Sequence, residues 1–198
     1  MALGLQAPVV LGLPRGGVPV AAEVAAVLGA PFDVFVACKI GAPSHRELGI
    51  GAVAEGLAEP VVSDITWALG VTPDDLRGRV DEVGEEVAER VRRYRADRPL
   101  PRLGDKEVVL VDDGIATGVT AGAALKALRT HQPRRLVIGA PVCAPDAIAQ
   151  LATLADEVVC VASPGALRAV GEAYRDFTQI TDEQVVELLA GAPGGSNQ

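Results

Sequence analysis

Five short apolar runs of strand length punctuate the 198-residue chain: Val9 to Leu13, Val34 to Cys38, Val108 to Val111, Leu136 to Ala140 and Val158 to Val161. They are rich in β-branched residues and lack polar alternation, the pattern of strands buried on both faces. Between them lie stretches of helical periodicity, chiefly Val18 to Leu28, Val119 to Leu128 and Pro145 to Leu154. Such alternation requires right-handed crossovers, so the expected fold class is α/β, a mostly parallel open sheet flanked by helices. Only 3% of residues are aromatic against 49% hydrophobic, which suits closely packed layers of small aliphatic side chains. The length fits one core, and a single domain over residues 1–198 is expected.

The stretch from Pro73 to Arg95 breaks the pattern. It is highly charged, with Leu76, Val80, Val83, Val87 and Val91 at three- and four-residue spacing, and so predicts a long amphipathic helix over about 73–95 with Thr72 at its start. DRPLPRLG after it reads as a Pro-rich turn, and GAPGGSNQ as a frayed tail.

A formal net charge of -8 argues against nucleic-acid and anionic-membrane partners, because that field repels polyanions. Cys38, Cys143 and Cys160 form no CxxC pair and read as small strand residues in a reducing compartment. The first residues lack a basic leader, and no run of about 18 apolar residues offers a span, so a cytoplasmic location is expected.

In open parallel sheets, ligands bind beyond the carboxyl ends of the strands. Three loops there carry chemistry. In Pro14-Arg15-Gly16-Gly17, paired glycines permit close backbone approach, and Arg15 offers a fork for phosphate; an ordinary strand-helix turn with a surface Arg is the alternative. Lys39 follows the Val34 to Cys38 run and is expected on the same rim. In VVLVDDGIATGVT, residues Gly114, Ile115, Ala116, Thr117, Gly118 and Thr120 offer amides and hydroxyls at a helix start, a phosphate cradle without the GK[ST] of a Walker loop. Asp112 and Asp113 open that cradle with two negative charges, suited to a divalent cation or to vicinal hydroxyls; a plain Asp-Asp helix start is the alternative. Together these loops suit a ligand with a diol, one phosphate and a second polyphosphate.

VVLVDDGIATGVT resembles the ribose-5-phosphate signature of the type I phosphoribosyltransferases, and PRGG resembles their pyrophosphate loop. DVFVACKIGAP, ELGIGAVAEG, RYRADRP and VGEAYRDFTQITDE extend the resemblance over nearly the whole chain, to a little-characterised bacterial subgroup. The resemblance implies a type I core with a small hood at about 165–190 and a flexible lid loop at about 41–51. It implies that Asp112 and Asp113 hold the ribose hydroxyls, Ile115 to Thr120 the 5-phosphate, and Arg15, Gly16 and Lys39 the pyrophosphate, with a cis non-proline peptide in the Arg15-Gly16 region. The reaction implied is displacement of pyrophosphate from phosphoribosyl pyrophosphate by a nitrogen nucleophile, a nucleobase in the expected case. Magnesium is the implied cofactor, held mainly by substrate and reaching Asp112 and Asp113 through water. The resemblance leaves room for a homodimer.

The lid would exclude water, and it carries His45, Arg46 and Glu47; His45 is a donor to pyrophosphate, an acid or an exposed loop residue, and His131 reads as surface. Tyr174, Asp176 and Phe177 are candidates for the base pocket, with core packing the alternative for the two rings. The sequence departs from family patterns in three places. Ala116 stands where 6-oxopurine enzymes carry an Asp, which disfavours hypoxanthine-guanine activity. Cys38 stands where relatives often have Arg, and the chain begins almost at its first strand, where relatives usually carry a leading helix. A non-catalytic sensor of phosphoribosyl pyrophosphate or a nucleotide is a second reading. A dinucleotide-binding domain is disfavoured, since GLPRGG has the wrong spacing and no acidic residue follows at the second strand end.

Overall fold

The computed structural model describes residues 4–42, 45–63, 65–96, 98–165, 167 and 169–191, the side chains of residues 45–47 excepted. The chain runs β1 (Val9–Gly12), α1 (Gly17–Leu28), β2 (Phe32–Val34), β3 (Ala37–Ala42), β4 (His45–Ala54), β5 (Val61–Val62), α2 (Ile65–Ala68) and α3 (Pro73–Arg95). It continues through β6 (Glu107–Val111), α4 (Val119–Thr130), β7 (Arg135–Val142), α5 (Pro145–Leu151), β8 (Glu157–Ala162), a 3-10 turn (Val170–Ala173) and α6 (Asp182–Ala190). The main sheet has the order β2-β1-β6-β7-β8, every pairing parallel.

Alternate residues of its strands face opposite helical layers, which is why the runs are apolar throughout. Leu11, Leu110, Leu136 and Ile138 pack with Ala124, Leu125 and Leu128 of α4 and Leu151 of α5. Val10, Val109 and Val137 pack with Val18, Ala21 and Ala25 of α1, Val87 of α3, and Val185 and Leu189 of α6. Each large side chain buried this way contributes about 1.5–3 kcal/mol. Helix α3 covers the span marked by its apolar spacing. Thr72 caps it by accepting from the Asp75 N–H at 3.1 Å, and Asp75 reciprocates. Beyond α1, the same sheet face carries a groove of about 570 Å³ lined by Val24, Val27, Val137, Val159 and Val161, with Val27 84% and Val161 85% exposed.

The run Val34 to Cys38 is not one strand. β2 ends at Val34, the Phe35 N–H donates back to Gly12 O at 3.0 Å, and Ala37 opens a second, antiparallel sheet of order β3-β4-β5. Both sheets bury this segment, so its composition carries no mark of the crossing. Lys39 therefore sits inside β3, opposite Ala52, exposed on a hairpin and not at the rim of the main sheet. Gly41 to Gly51, expected as a loop, is largely β-ribbon: Gly41 pairs Gly49 and Ala42 pairs His45, with register shifts on either side of Gly41. Pro43 and Ser44 at its tip lie outside the described residues.

One buried ion pair ties the two sheets. Arg95, at the end of α3 and 4% exposed, grips the Glu55 carboxylate through both terminal nitrogens. Its Nη1 also donates to Val34 O at 3.2 Å, and the Val36 N–H donates to Glu55 Oε1 at 2.7 Å. The crossing is thus held by charge-assisted hydrogen bonds that offset much of the desolvation of both groups, with Arg95 Nε buried and left without a partner among the described residues. The region 165–190 divides: α6 packs back onto α1 and α3, while residues 170–180 form a largely exposed strap over the carboxyl ends of the strands.

Candidate active site

β1 and β6 are neighbours, so the loops leaving them lie side by side, and the Leu13 N–H donates to Val111 O at 2.8 Å to keep them so. The first loop contains a cis peptide between Pro14 and Arg15, one bond earlier than expected. Gly16 and Gly17 have a role that sequence reading missed. A Cβ on Gly16 would lie 1.8 Å from Asp113 Oδ2, and one on Gly17 would lie 2.6 Å from Val111 O and 2.8 Å from Asp112 Cα. Bare backbone at both positions is what lets the acidic pair close against the PRGG loop.

The second loop is stitched to the end of β7. The Ile115 N–H donates to Val142 O and its carbonyl accepts from the Ala144 N–H, both at 2.8 Å, with the Ile115 side chain buried. This corrects one expectation, because the Ile115 amide is already committed and is no phosphate donor. Donors on this loop therefore begin at Ala116. Gly118, at φ 72, turns the chain into α4, whose first backbone bond is Gly122 N–H to Gly118 O at 2.7 Å. The amides ahead of that bond have no acceptor within the helix, so the first turn, with Val119 and Thr120, presents a partial positive charge. The helix is mounted firmly, since Ala121 to Leu125 are all buried.

Asp112 and Asp113 lie between the two loops. Burial pushes Asp112 well above the usual carboxylate range, and the adjacent Asp113 charge pushes it further. Burial raises Asp113 as well, partly offset by hydrogen bonds, among them one from the Gly114 amide. The Asp113 N–H donates to Asp112 Oδ1 at 2.9 Å. Two carboxylates held together in this way favour a neutralising partner, a cation or hydroxyl donors. Among the described residues no three or more His, Cys, Asp or Glu side chains converge to hold a metal by themselves.

Arg15, Gly16, Asp112, Asp113, Tyr174 and Phe177 line one cavity of about 420 Å³, with Asp176 also on its wall. Three segments distant in sequence thus converge: the pyrophosphate-loop candidate, the acidic pair and the candidate base pocket. The Tyr174 and Phe177 rings lie 5.2 Å apart, tilted by 44°, and Phe177 is 46% exposed, which places them on the wall of the site and not in the core. Asp176 Oδ1 accepts from Thr178 Oγ1 at 2.7 Å and from the Thr178 N–H at 3.1 Å. Thr178, Gln179 and Ile180 extend the wall; only their adjacency to Tyr174 and Phe177 could have flagged them.

Other candidates fall elsewhere. Lys39 is not on this cavity's wall; its stem runs beside Gly49, where a Cβ would meet Lys39 Cδ at 3.0 Å. Thr117 is exposed and lines a separate groove of about 390 Å³, with Ser63, Lys126 and Gln150 on the far side of α4. The side chains of His45, Arg46 and Glu47 lie outside the described residues. No described helix is long and apolar enough to cross a membrane.

Residues 2–162 match the family described as the phosphoribosyl transferase domain. A Mycobacterium tuberculosis protein, provisionally named a phosphoribosyl transferase, is 42% identical over 184 residues, 93% of this chain and 42% of its own length. The chain therefore spans less than half of the curated relatives it matches. A crystal structure, TT1426 from Thermus thermophilus, is 44% identical and superposes with a TM-score of 0.77, covering 94% of this chain and 88% of that one.

Proposed function

Because this chain belongs to the phosphoribosyl transferase domain family, we propose that it is a glycosyltransferase that moves the phosphoribosyl group of phosphoribosyl pyrophosphate onto a nitrogen nucleophile and releases pyrophosphate. The observation that carries this reading is the convergence of Arg15-Gly16, Asp112-Asp113 and the Tyr174-Phe177 pair on one cavity.

In this reading, Asp112 and Asp113 accept hydrogen bonds from the ribose hydroxyls, and the amides from Ala116 onward, with Thr120, receive the 5-phosphate. Arg15 and the backbone at Gly16 face the departing pyrophosphate. Tyr174 and Phe177 supply aromatic surface for a planar acceptor, and the second oxygen of the Asp176 carboxylate accepts from its edge. Lys39 and the β3–β4 ribbon would approach pyrophosphate from the other side, the ribbon serving as the cover that excludes water.

Magnesium fits this donor set, because it takes few protein ligands, and two carboxylates of raised affinity for protons are poorly satisfied alone. When bound, held mainly by substrate oxygens and reaching Asp112 and Asp113 through water, it would neutralise charge on the leaving pyrophosphate. Ala116, where a candidate base would stand in 6-oxopurine enzymes, points to acceptors outside the hypoxanthine-guanine class. The same residue favours the second reading, a sensor that binds phosphoribosyl pyrophosphate without turnover.

Calorimetry with phosphoribosyl pyrophosphate, with and without magnesium, tests the site: binding should be magnesium-dependent and lost in Asp112→Asn/Asp113→Asn. Absence of binding at millimolar ligand would overturn the proposal. Pyrophosphate release across a panel of nucleobases separates enzyme from sensor.

A further inference from the structure

The strap over the site touches the acidic loop at two points. The Val170 side chain rests on Gly114, where a Cβ would lie 2.3 Å from Val170 Cγ1, and the Tyr174 hydroxyl donates to the Asp113 carbonyl at 2.5 Å. Residues 172, 173 and 175–179 are exposed, whereas Tyr174 is half-buried. Its hydroxyl is therefore turned inward onto backbone, although water is close by.

That carbonyl belongs to the peptide between Asp113 and Gly114. Gly114 has no side chain to restrict rotation of this peptide, so its orientation depends on outside contacts. It decides where the Gly114 amide points, and that amide helps to offset the burial that raises the Asp113 carboxyl. The carboxylate itself lies over Gly16, whose Cβ position Asp113 Oδ2 overhangs, so a small shift of this loop changes its aim. From this geometry we infer that Tyr174 is a positioning residue: its hydroxyl clamps the 113–114 peptide and so aims the Asp113 carboxylate at the ribose hydroxyls. The inference rests on the sugar-phosphate reading of the site, and it gives Tyr174 a task separate from any stacking by its ring.

The test uses ribose 5-phosphate and inorganic pyrophosphate as separate calorimetric probes, both with magnesium, on the whole chain and on Tyr174→Phe and Tyr174→Leu. Loss of one neutral hydrogen bond should weaken ribose 5-phosphate binding by about five- to tenfold. Pyrophosphate affinity should stay within about twofold, since the ribose hydroxyls bond Asp113 directly whereas magnesium would reach it only through water. The Phe variant keeps the ring, so equal losses in both variants assign the effect to the hydroxyl. Unchanged ribose 5-phosphate affinity in Tyr174→Phe, or a loss confined to Tyr174→Leu, overturns the inference. So does an equal fall for both probes with a lowered melting temperature, which would mean that the strap has come loose. If the unaltered chain binds neither ribose 5-phosphate nor phosphoribosyl pyrophosphate, the functional reading fails, and this inference with it.

Discussion

Asp113 and Gly16 share one volume: the carboxylate oxygen Oδ2 lies 1.8 Å from where a Cβ on residue 16 would be. Gly16→Ala must therefore displace either the carboxylate or the PRGG backbone. We predict a loss of about 1–3 kcal/mol in stability, as for other overpacked sites, together with loss of magnesium-dependent binding of phosphoribosyl pyrophosphate. Because the clash is with the Asp113 side chain, Gly16→Ala should cost less in an Asp113→Ala background. Thermal denaturation of the four proteins of that cycle measures the coupling, and additive effects would refute it.

The raised pKa of Asp112 means that the folded chain resists ionisation of this group. Below the ordinary carboxylate value of about 3.9, the group is protonated both folded and unfolded and contributes nothing to the pH dependence. As pH rises from there through the higher folded-state value, the unfolded chain ionises more readily, and stability is lost. Asp112→Asn should therefore raise the melting temperature at pH 7, with the gain shrinking towards pH 4, while weakening binding of ribose 5-phosphate. A gain that is constant with pH would show that ionisation is not its source.

Glu55 and Arg95 hold the crossing between the two sheets. Glu55→Ala leaves a buried guanidinium without its partner and should cost about 3–5 kcal/mol in urea denaturation. Glu55→Leu/Arg95→Met, which removes both charges, should cost distinctly less.

Two glycines in left-handed backbone separate strain from function. Gly29 (φ 60), at the end of α1, has open space where a Cβ would go, and Gly118 (φ 72) opens α4. Each Gly→Ala change should cost about 1 kcal/mol of stability. Gly118→Ala alone should weaken ribose 5-phosphate binding, whereas equal binding losses in both variants would detach the loop from the 5-phosphate.

The sequence made the parallel core legible because strands buried on both faces leave unbroken apolar runs, as at Val108 to Val111. It hid the antiparallel sheet for the same reason: Val34 to Cys38 stays apolar while passing from one sheet to the other. The glycines between Gly41 and Gly51 suggested a loop, yet Gly51 is needed in a strand, where a Cβ would lie 2.5 Å from Val61 O. Within the site, local chemistry such as Asp112-Asp113 and PRGG was readable. The contacts between distant segments, Gly16 with Asp113 and Val170 with Gly114, were not, because a glycine carries no mark of the neighbour it admits. Ile115 shows the converse: its position in the phosphate-loop motif suggested a donor, and only the end of β7 reveals that its amide is taken.

The bare valine groove beside α1 bears on how this protein behaves at the bench. With Val27 and Val161 almost fully open to water, about 570 Å³ of apolar space is available to a neutral dye such as Nile red while the chain is folded. Dye fluorescence, commonly read as the sign of a loosened core, would here report an intact native surface, so a melting curve followed by such a dye would start from a bright baseline.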